Sequence, residues 1–332
     1  MAWALERSLR SFKKSVKSLT AGPFWLRYGT LAPYRALCAG ASALTGLTRS
    51  GARHAEANVG ESVDYIASVF NMYKSAAGVE KFHGRIAEIG PGDSCGVGLM
   101  FLASGCEQVD LVDRFFSTRD ERRQQAVNRN LVERLPQLAL LRRNGSFAES
   151  SFPALKRHYG ESAAAEIFFK ANKDYDYIVS CAVLEHAYDP LAALSAAGSA
   201  LNRGGMMLHQ IDCRDHGQFS ESFHELKFLE LSESMYAPLK WRGGPNRVRL
   251  SAYVNALRQE RMDFTIYVNS LAGIAEELPP CTVLENVARP LLDASREYVS
   301  KVRSGLAIPF RSMSDEDLMV TRFLMVAAKA SS

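Results

Sequence analysis

Ten residues, Arg85-Ile86-Ala87-Glu88-Ile89-Gly90-Pro91-Gly92-Asp93-Ser94, limit what this chain can fold into more than any other stretch. They begin as a short apolar run with β character and end in two glycines around a proline. That is how a strand reads where it breaks into a tight turn with exposed backbone. A helix is predicted from about Gly96 to Ala103, with Val97, Leu99, Met100 and Leu102 supplying its apolar faces. Strand, glycine turn and helix make the first half of a βαβ unit. Glycine matters at such a turn because no Cβ holds a ligand off the backbone. Val109-Asp110-Leu111-Val112-Asp113 then reads as a second strand ending in a carboxylate, 23 residues after Gly90. That is near the spacing at which a second-strand acid reaches a ribose hydroxyl pair. An adenosine-bearing cofactor is expected here.

The dinucleotide fingerprint requires a third glycine six positions into the turn, and that place is held by Cys95. Glu88, just ahead of the turn, would repel a pyrophosphate but suits an ammonium group. A nicotinamide-dependent oxidoreductase is therefore disfavoured, as is a bare structural turn of an unrelated α/β protein. S-adenosylmethionine (SAM) carries an ammonium, a sulfonium and a ribose, and no phosphate. At these residues the chain resembles the class I SAM-dependent methyltransferases, whose first motif is an acid, one residue, then Gly-x-Gly. Glu88, Gly90 and Gly92 match it, while Ser94 stands where many members have a further glycine. The resemblance implies a Rossmann-like, doubly wound, seven-stranded, mostly parallel sheet with an antiparallel last strand. It places SAM against Glu88, Gly90, Pro91, Gly92, Asp113 and Arg114. Ser146, Phe147 and Ala148 would follow the adenine edge, with Glu149 accepting from the exocyclic amine, and Ser180 and Cys181 would close the fourth strand.

That strand lies in Tyr175-Asp176-Tyr177-Ile178-Val179-Ser180-Cys181-Ala182-Val183-Leu184-Glu185-His186, where the family has an aromatic-Asp strand and, in its small-molecule branch, a helix opening with Leu-Glu-His. Members that methylate nucleic-acid amino groups carry an Asn/Asp-Pro-Pro-aromatic clamp for a flipped base at this place. Its absence argues against a nucleic-acid acceptor.

At 332 residues the chain can bury a full core, and its 47% apolar and 23% charged residues suit a globular protein. Its net charge of +4 is unevenly spread. Residues 1–54 hold nine Lys/Arg against Glu6 alone, a net of +8 that leaves −4 for the rest. Leu5, Leu9, Phe12, Val16 and Leu19 form one helical stripe in this arm of about residues 1–55, flanked by Arg7, Arg10, Lys13, Lys14 and Lys17. Three readings stay open: a helix packed on its own domain or a second subunit, a peripheral membrane contact through residues 1–20, or a cleaved targeting segment. The uncharged run Ala36–Thr48 is too short and glycine-broken to span a bilayer. Six scattered cysteines without C-x-x-C spacing read as reduced thiols of a cytoplasmic protein with no zinc site.

Beyond a linker at Gly51–Gly60, the methyltransferase-like domain is expected over residues 60–330. Val63, Ile66, Val69, Phe70 and Tyr73 outline a first helix, from which Tyr65, Tyr73 and Lys74 either meet the cofactor or pack. A charged helix follows at Thr118–Arg134, and Leu138–Leu141 is the expected third strand. After helix Leu191–Leu201 and a turn at Asn202-Arg203-Gly204-Gly205 comes strand Met206–Ile211. The sequence Asp212-Cys213-Arg214-Asp215-His216 then faces the pocket, since ligands of open α/β sheets sit beyond the carboxyl ends of strands. A metal site from His209, Asp212, Asp215 and His216 lacks ligand spacing and is set aside. Residues 217–262 read as an inserted cap whose aromatics and Asn246-Arg247-Val248-Arg249 suit a polar or anionic acceptor. Thr265–Val268, helix Val283–Val302 and Leu318–Ala327 complete the fold.

The expected activity is in-line methyl transfer from SAM to oxygen or nitrogen of a small-molecule or glycan-like acceptor. His216 is the first candidate base and His186 the second, with Asp212, Asp215 and Arg247 as acceptor contacts. The alternative is a non-catalytic SAM-fold scaffold that docks through its basic arm.

Overall fold

The computed structural model describes Tyr28, Gly29, Pro33, His54 and residues 57–330, apart from 118, 220–223, 240–243 and the side chain of Pro238. The stripe from Leu5 to Leu19 and the run Ala36–Thr48 lie outside the described residues. Among those described, no helix is long and apolar enough to cross a membrane.

Helix α1 (Val59–Ala77) starts at a reciprocal capping box between Asn58 and Glu61 and stops at Gly78, whose φ of 64° no other residue adopts as cheaply. Its face of Val63, Ile66, Phe70 and Tyr73 packs against α2 (Gly96–Ser104). Strand β1 (Gly84–Ile89) precedes α2, and β2 (Cys106–Asp113) follows it. Helix α3 (Glu121–Arg134) is capped by Asp120. Next come β3 (Leu155–Tyr159), α4 (Ala165–Ala171) and β4 (Tyr175–Cys181). Asp189 caps α5 (Pro190–Ala200), which leads into β5 (Leu201–Asp212). The chain closes with α6 (Leu250–Gln259), β6 (Asp263–Leu271), α7 (Arg289–Arg303) and β7 (Val320–Ala328).

The seven strands run in the order β3-β2-β1-β4-β5-β7-β6, with β7 antiparallel to both of its neighbours. Strand order reverses between β1 and β4, and ligand crevices of doubly wound sheets open at such a switch point. Alternation along β1 divides the core. Ile86 joins the cluster under α1, α2 and α3, and Ala87 and Ile89 join the one under α4, α5 and α6. In the middle of β2, buried Asp110 ties four strands together. It takes Arg85 at 2.8 Å, His158 at 2.9 Å and the Tyr175 hydroxyl at 3.0 Å. Burial alone would raise this carboxyl, but the hydrogen bonds from His158, Arg85 and Gln108, with the Arg85 charge, bring it down to about 2.

Four expectations need correction. Leu138–Leu141 is not a strand but part of a short helix, Gln137–Leu141, begun by Pro136, whose fixed φ suits a helix start. The third strand is Leu155–Tyr159, an edge strand whose Lys, Arg and His hide it from a search for apolar runs. Among the described residues of 217–262, Phe219, Phe228, Leu229, Leu231 and Tyr236 are buried in the core and do not face an acceptor, and α6 lies against α5. Leu184-Glu185-His186 forms a single 3₁₀ turn, ahead of α5. Helix α7 starts at Arg289 and not at Val283, because Pro290 sits in its first turn.

Candidate active site

Beyond the carboxyl ends of β1, β2 and β4 lies a cleft of about 390 Å³, a usual size for a small-ligand site. Gly90, Pro91, Gly92 and Asp93 line it, as do Asp113 and Arg114 at the end of β2 and Cys181 to Leu184 after β4. Gly90 and Gly92 have φ of 69° and 63°. A Cβ on Gly90 would meet Val183 Cγ2 at 2.4 Å, so this turn needs glycine for both its backbone and its neighbour. The Gly90 amide donates to Val112 O at 2.8 Å, tying the turn to β2. Arg157 of β3 braces it from the side, reaching Gly92 O at 3.4 Å and Ser94 O at 3.3 Å. Glu149 holds that guanidinium at 2.8 and 2.9 Å. Asp113 Oδ1 accepts the Phe115 amide at 2.8 Å, which fixes the carboxylate at the cleft wall. Arg114 pairs with Glu166 and Glu161 and lies 4.7 Å over the Tyr188 ring.

Other predicted residues lie elsewhere. Ser146, Phe147 and Ala148 precede β3 and do not line the cleft; Ala163 to Glu166, after the true third strand, do. The Phe147 ring is covered by Arg142 and Arg129 at 4.2 and 5.1 Å, and Ser146 Oγ accepts the Ala148 amide. Glu149 is engaged by Arg119 and Arg157 and not by an amine. Ser180 is fully buried, with its hydroxyl 2.8 Å from His209 Nδ1, so Cys181 alone of that pair reaches the cleft. Burial pushes the Cys181 thiol up to about 12 and His209 down to about 3, leaving both neutral. Glu88 sits behind the turn with Oε2 lacking a hydrogen-bond partner, and burial lifts it to about 8 against the opposing charge of Arg157. Of the α1 candidates, Tyr65 lines the cleft, Tyr73 is buried in the core, and Lys74 pairs with Glu80.

The two histidines meet. His186 lines the cleft, and its ring centroid is 4.7 Å from that of His216. His216, expected to serve the acceptor from the pocket side of the fifth strand, itself faces a second cavity with Asp212, Arg214, Asp215, His224 and Tyr298 and does not line the cleft. Its φ is 52°, a strained value for a histidine. Its Nε2 stands 3.2 Å from Asp212 O and 4.0 Å from Glu185 Oε1. Glu185 is 1% exposed, and burial, with the Asp212 charge adding to it, drives its carboxyl well above the usual range. Asp212 is forked onto Arg214, and Asp215 accepts the Gly217 and Phe219 amides, so neither reaches the cleft. His186, Ala187 and Tyr188 also wall a smaller cavity with Asn246, Arg247 and Phe310. There Arg247 is held by Glu233 and Leu231 O and stacks on Tyr236 and Phe310. Arg249 is wholly internal, donating to Asp317, Cys213 and Val320 carbonyls.

Residues 73–257 match the sequence profile of a family described as a methyltransferase domain. The chain belongs to that family, the class I SAM-dependent methyltransferases. No curated protein sequence matches it. Among solved structures it is similar to phosphoethanolamine N-methyltransferase 2 of Haemonchus contortus in complex with SAM. Identity there is 16% over 78% of this chain and 51% of that one, with a TM-score of 0.40, so the match spans about half the length of that protein. A putative sarcosine dimethylglycine methyltransferase from Galdieria sulphuraria shows 13% identity over 82% and 86% of the two chains, with a TM-score of 0.39. YcgJ protein from Bacillus subtilis shows 11% over 79% and 98%, with a TM-score of 0.41.

In this methyltransferase several cleft residues gave no signal in the sequence. Ala163 to Ala165 are small and apolar, and Tyr188 reads as a loop aromatic; only the tertiary fold brings them beside Asp113. His54 comes from the linker, its amide 3.3 Å from Asp93 Oδ1. Asp93, buried and directly after the glycine turn, could have been found from its place in the motif.

Proposed function

We propose that this methyltransferase binds SAM along Gly90-Pro91-Gly92, with the ribose on Asp113, and methylates oxygen or nitrogen of a small-molecule or glycan-like acceptor. The residues suit the cofactor. Two left-handed glycines leave the backbone open, Asp113 offers a fixed carboxylate, and Glu88 lies behind the turn, where a bound ammonium would draw its buried carboxyl into the charged form. Bound there, SAM supplies a methyl group already activated by a sulfonium.

The observation that carries the acceptor reading is the shared wall His186-Ala187-Tyr188, which belongs both to the cofactor cleft and to the cavity beside Arg247. An acceptor in the smaller cavity meets His186 next to the cofactor, and the base role first assigned to His216 passes to His186. His186 takes the proton of the attacking group, and His216 holds its ring from behind. Proximity and alignment supply most of the rest. Arg247, already engaged by Glu233, favours a neutral hydroxyl- or amine-bearing acceptor over an anionic one. The five described cysteines are free thiols, in keeping with a reducing cytoplasmic setting.

Labelled SAM, incubated with the protein and a panel of sugars, phenols and small amines, should give labelled product of low mass. Label found only in protein or nucleic acid would overturn the acceptor reading. Calorimetry that detects no SAM binding would overturn the cofactor reading.

A further inference from the structure

We infer that Glu185, His186 and His216 form a binding site for one divalent transition-metal ion at the acceptor end of the cleft. Their ligand atoms, one from each residue, all lie within 4.8 Å of one another. Ligation at about 2.0–2.2 Å from each atom needs them roughly 3–4 Å apart, so the three must close by up to about an ångström. Glu185 carries the argument. Its carboxylate is nine-tenths buried or more, Oε1 takes a 3.3 Å contact from the Asp212 amide, and Oε2 has no hydrogen-bond partner among the described residues. A buried carboxylate oxygen without a partner is costly, and a cation would satisfy it. The strained backbone at His216 is what brings its ring against His186, and Nε2 would exchange its 3.2 Å contact with Asp212 O for the ion.

Two imidazoles and one carboxylate favour a first-row ion such as Mn²⁺, Co²⁺ or Zn²⁺ over Mg²⁺ or Ca²⁺, which prefer oxygen ligands. Three protein ligands leave positions open. His186 forms part of the cofactor cleft and of the cavity beside Arg247, so an acceptor oxygen or nitrogen can reach one of those positions. The inference rests on the acceptor reading above and refines it: the imidazoles then act on the acceptor through the ion, which acidifies a bound hydroxyl, and not as a free base.

The test uses the full-length protein stripped with a chelator, dialysed, and titrated with Mn²⁺ or Zn²⁺ alone by calorimetry. One equivalent per chain should bind. Glu185→Gln, which keeps the shape of the side chain, and His216→Ala should each weaken binding by more than the about 10–100-fold typical of losing a ligand's hydrogen-bond partner. His224→Ala, in the neighbouring cavity and paired with Glu230, should bind as the parent does. Co²⁺ absorption bands that are present in the parent and lost in both variants would identify the ligands directly. Circular dichroism and binding of the demethylated cofactor, measured on the same samples, separate a lost metal site from a lost fold or a failed cofactor assignment. Absence of binding at millimolar metal, or binding unaltered in both variants, would overturn the inference.

Discussion

At the scale of single residues, two carboxylates make opposite demands on the fold. Asp113 stands at the cleft wall with one oxygen already used by the Phe115 amide. Removing it in Asp113→Ala should weaken SAM binding by about 1.5–3 kcal/mol, the usual worth of a hydrogen bond to a charged group. Calorimetric affinity left unchanged would mean the ribose lies elsewhere. Glu88 is instead held near neutrality, with a pKa of about 8 against an ordinary 4.5, because burial disfavours its charge. Between those two values the folded chain keeps a proton that the unfolded chain has released. Stability therefore falls as pH rises through that window and is level above it. Glu88→Gln should remove the slope: its Tm without cofactor should exceed the parent's most at pH 8 and least near pH 5. SAM binding should weaken in the same variant if Glu88 offsets the ammonium charge. A parallel pair of Tm profiles would sink the assignment.

Elements show where local signals suffice. The box at Asn58 and Glu61 fixes where α1 begins, and α1 carries Tyr65 to the cleft. Asn58→Ala should cost about 1 kcal/mol, read as faster amide exchange in the first turns of α1 while β1 stays protected. Caps, glycine turns and apolar runs are written in neighbouring residues, which is why β1, α2, β2, β4 and α5 were legible in the sequence. Strand β3 was not, because an edge strand can be as polar as Leu-Lys-Arg-His-Tyr. That one misplacement carried the adenine loop with it, since the loop after the true third strand, Ala163 to Glu166, lines the cleft and Phe147 does not. Ser180 and His216 fall outside the cleft lining for a different reason. Position at a strand end was readable, but the direction of each side chain depends on a partner on another element, His209 for Ser180 and His186 for His216.

For the whole molecule, Tyr28, a described residue of the basic arm, donates its hydroxyl to Met235 O at 2.8 Å. Deleting residues 1–50 should leave SAM affinity within about twofold while lowering Tm by a few degrees, through the lost Tyr28 packing. Co-sedimentation of intact and shortened protein with anionic vesicles at low salt tests the membrane reading of the arm; equal pelleting of the two would dismiss it. At the far end of the sheet, residues 272–287 fold back over β6. Val268 N donates to Thr282 O at 2.7 Å, and Leu278 N donates to Asn269 O at 2.9 Å. These bonds occupy backbone groups that an edge strand would otherwise offer to another chain. The opposite edge, β3, is short and carries Lys156, Arg157 and His158. With part of one rim covered by its own loop and the other guarded by charge, the described sheet is a poor template for growth, and crowded copies of this protein should stay dispersed.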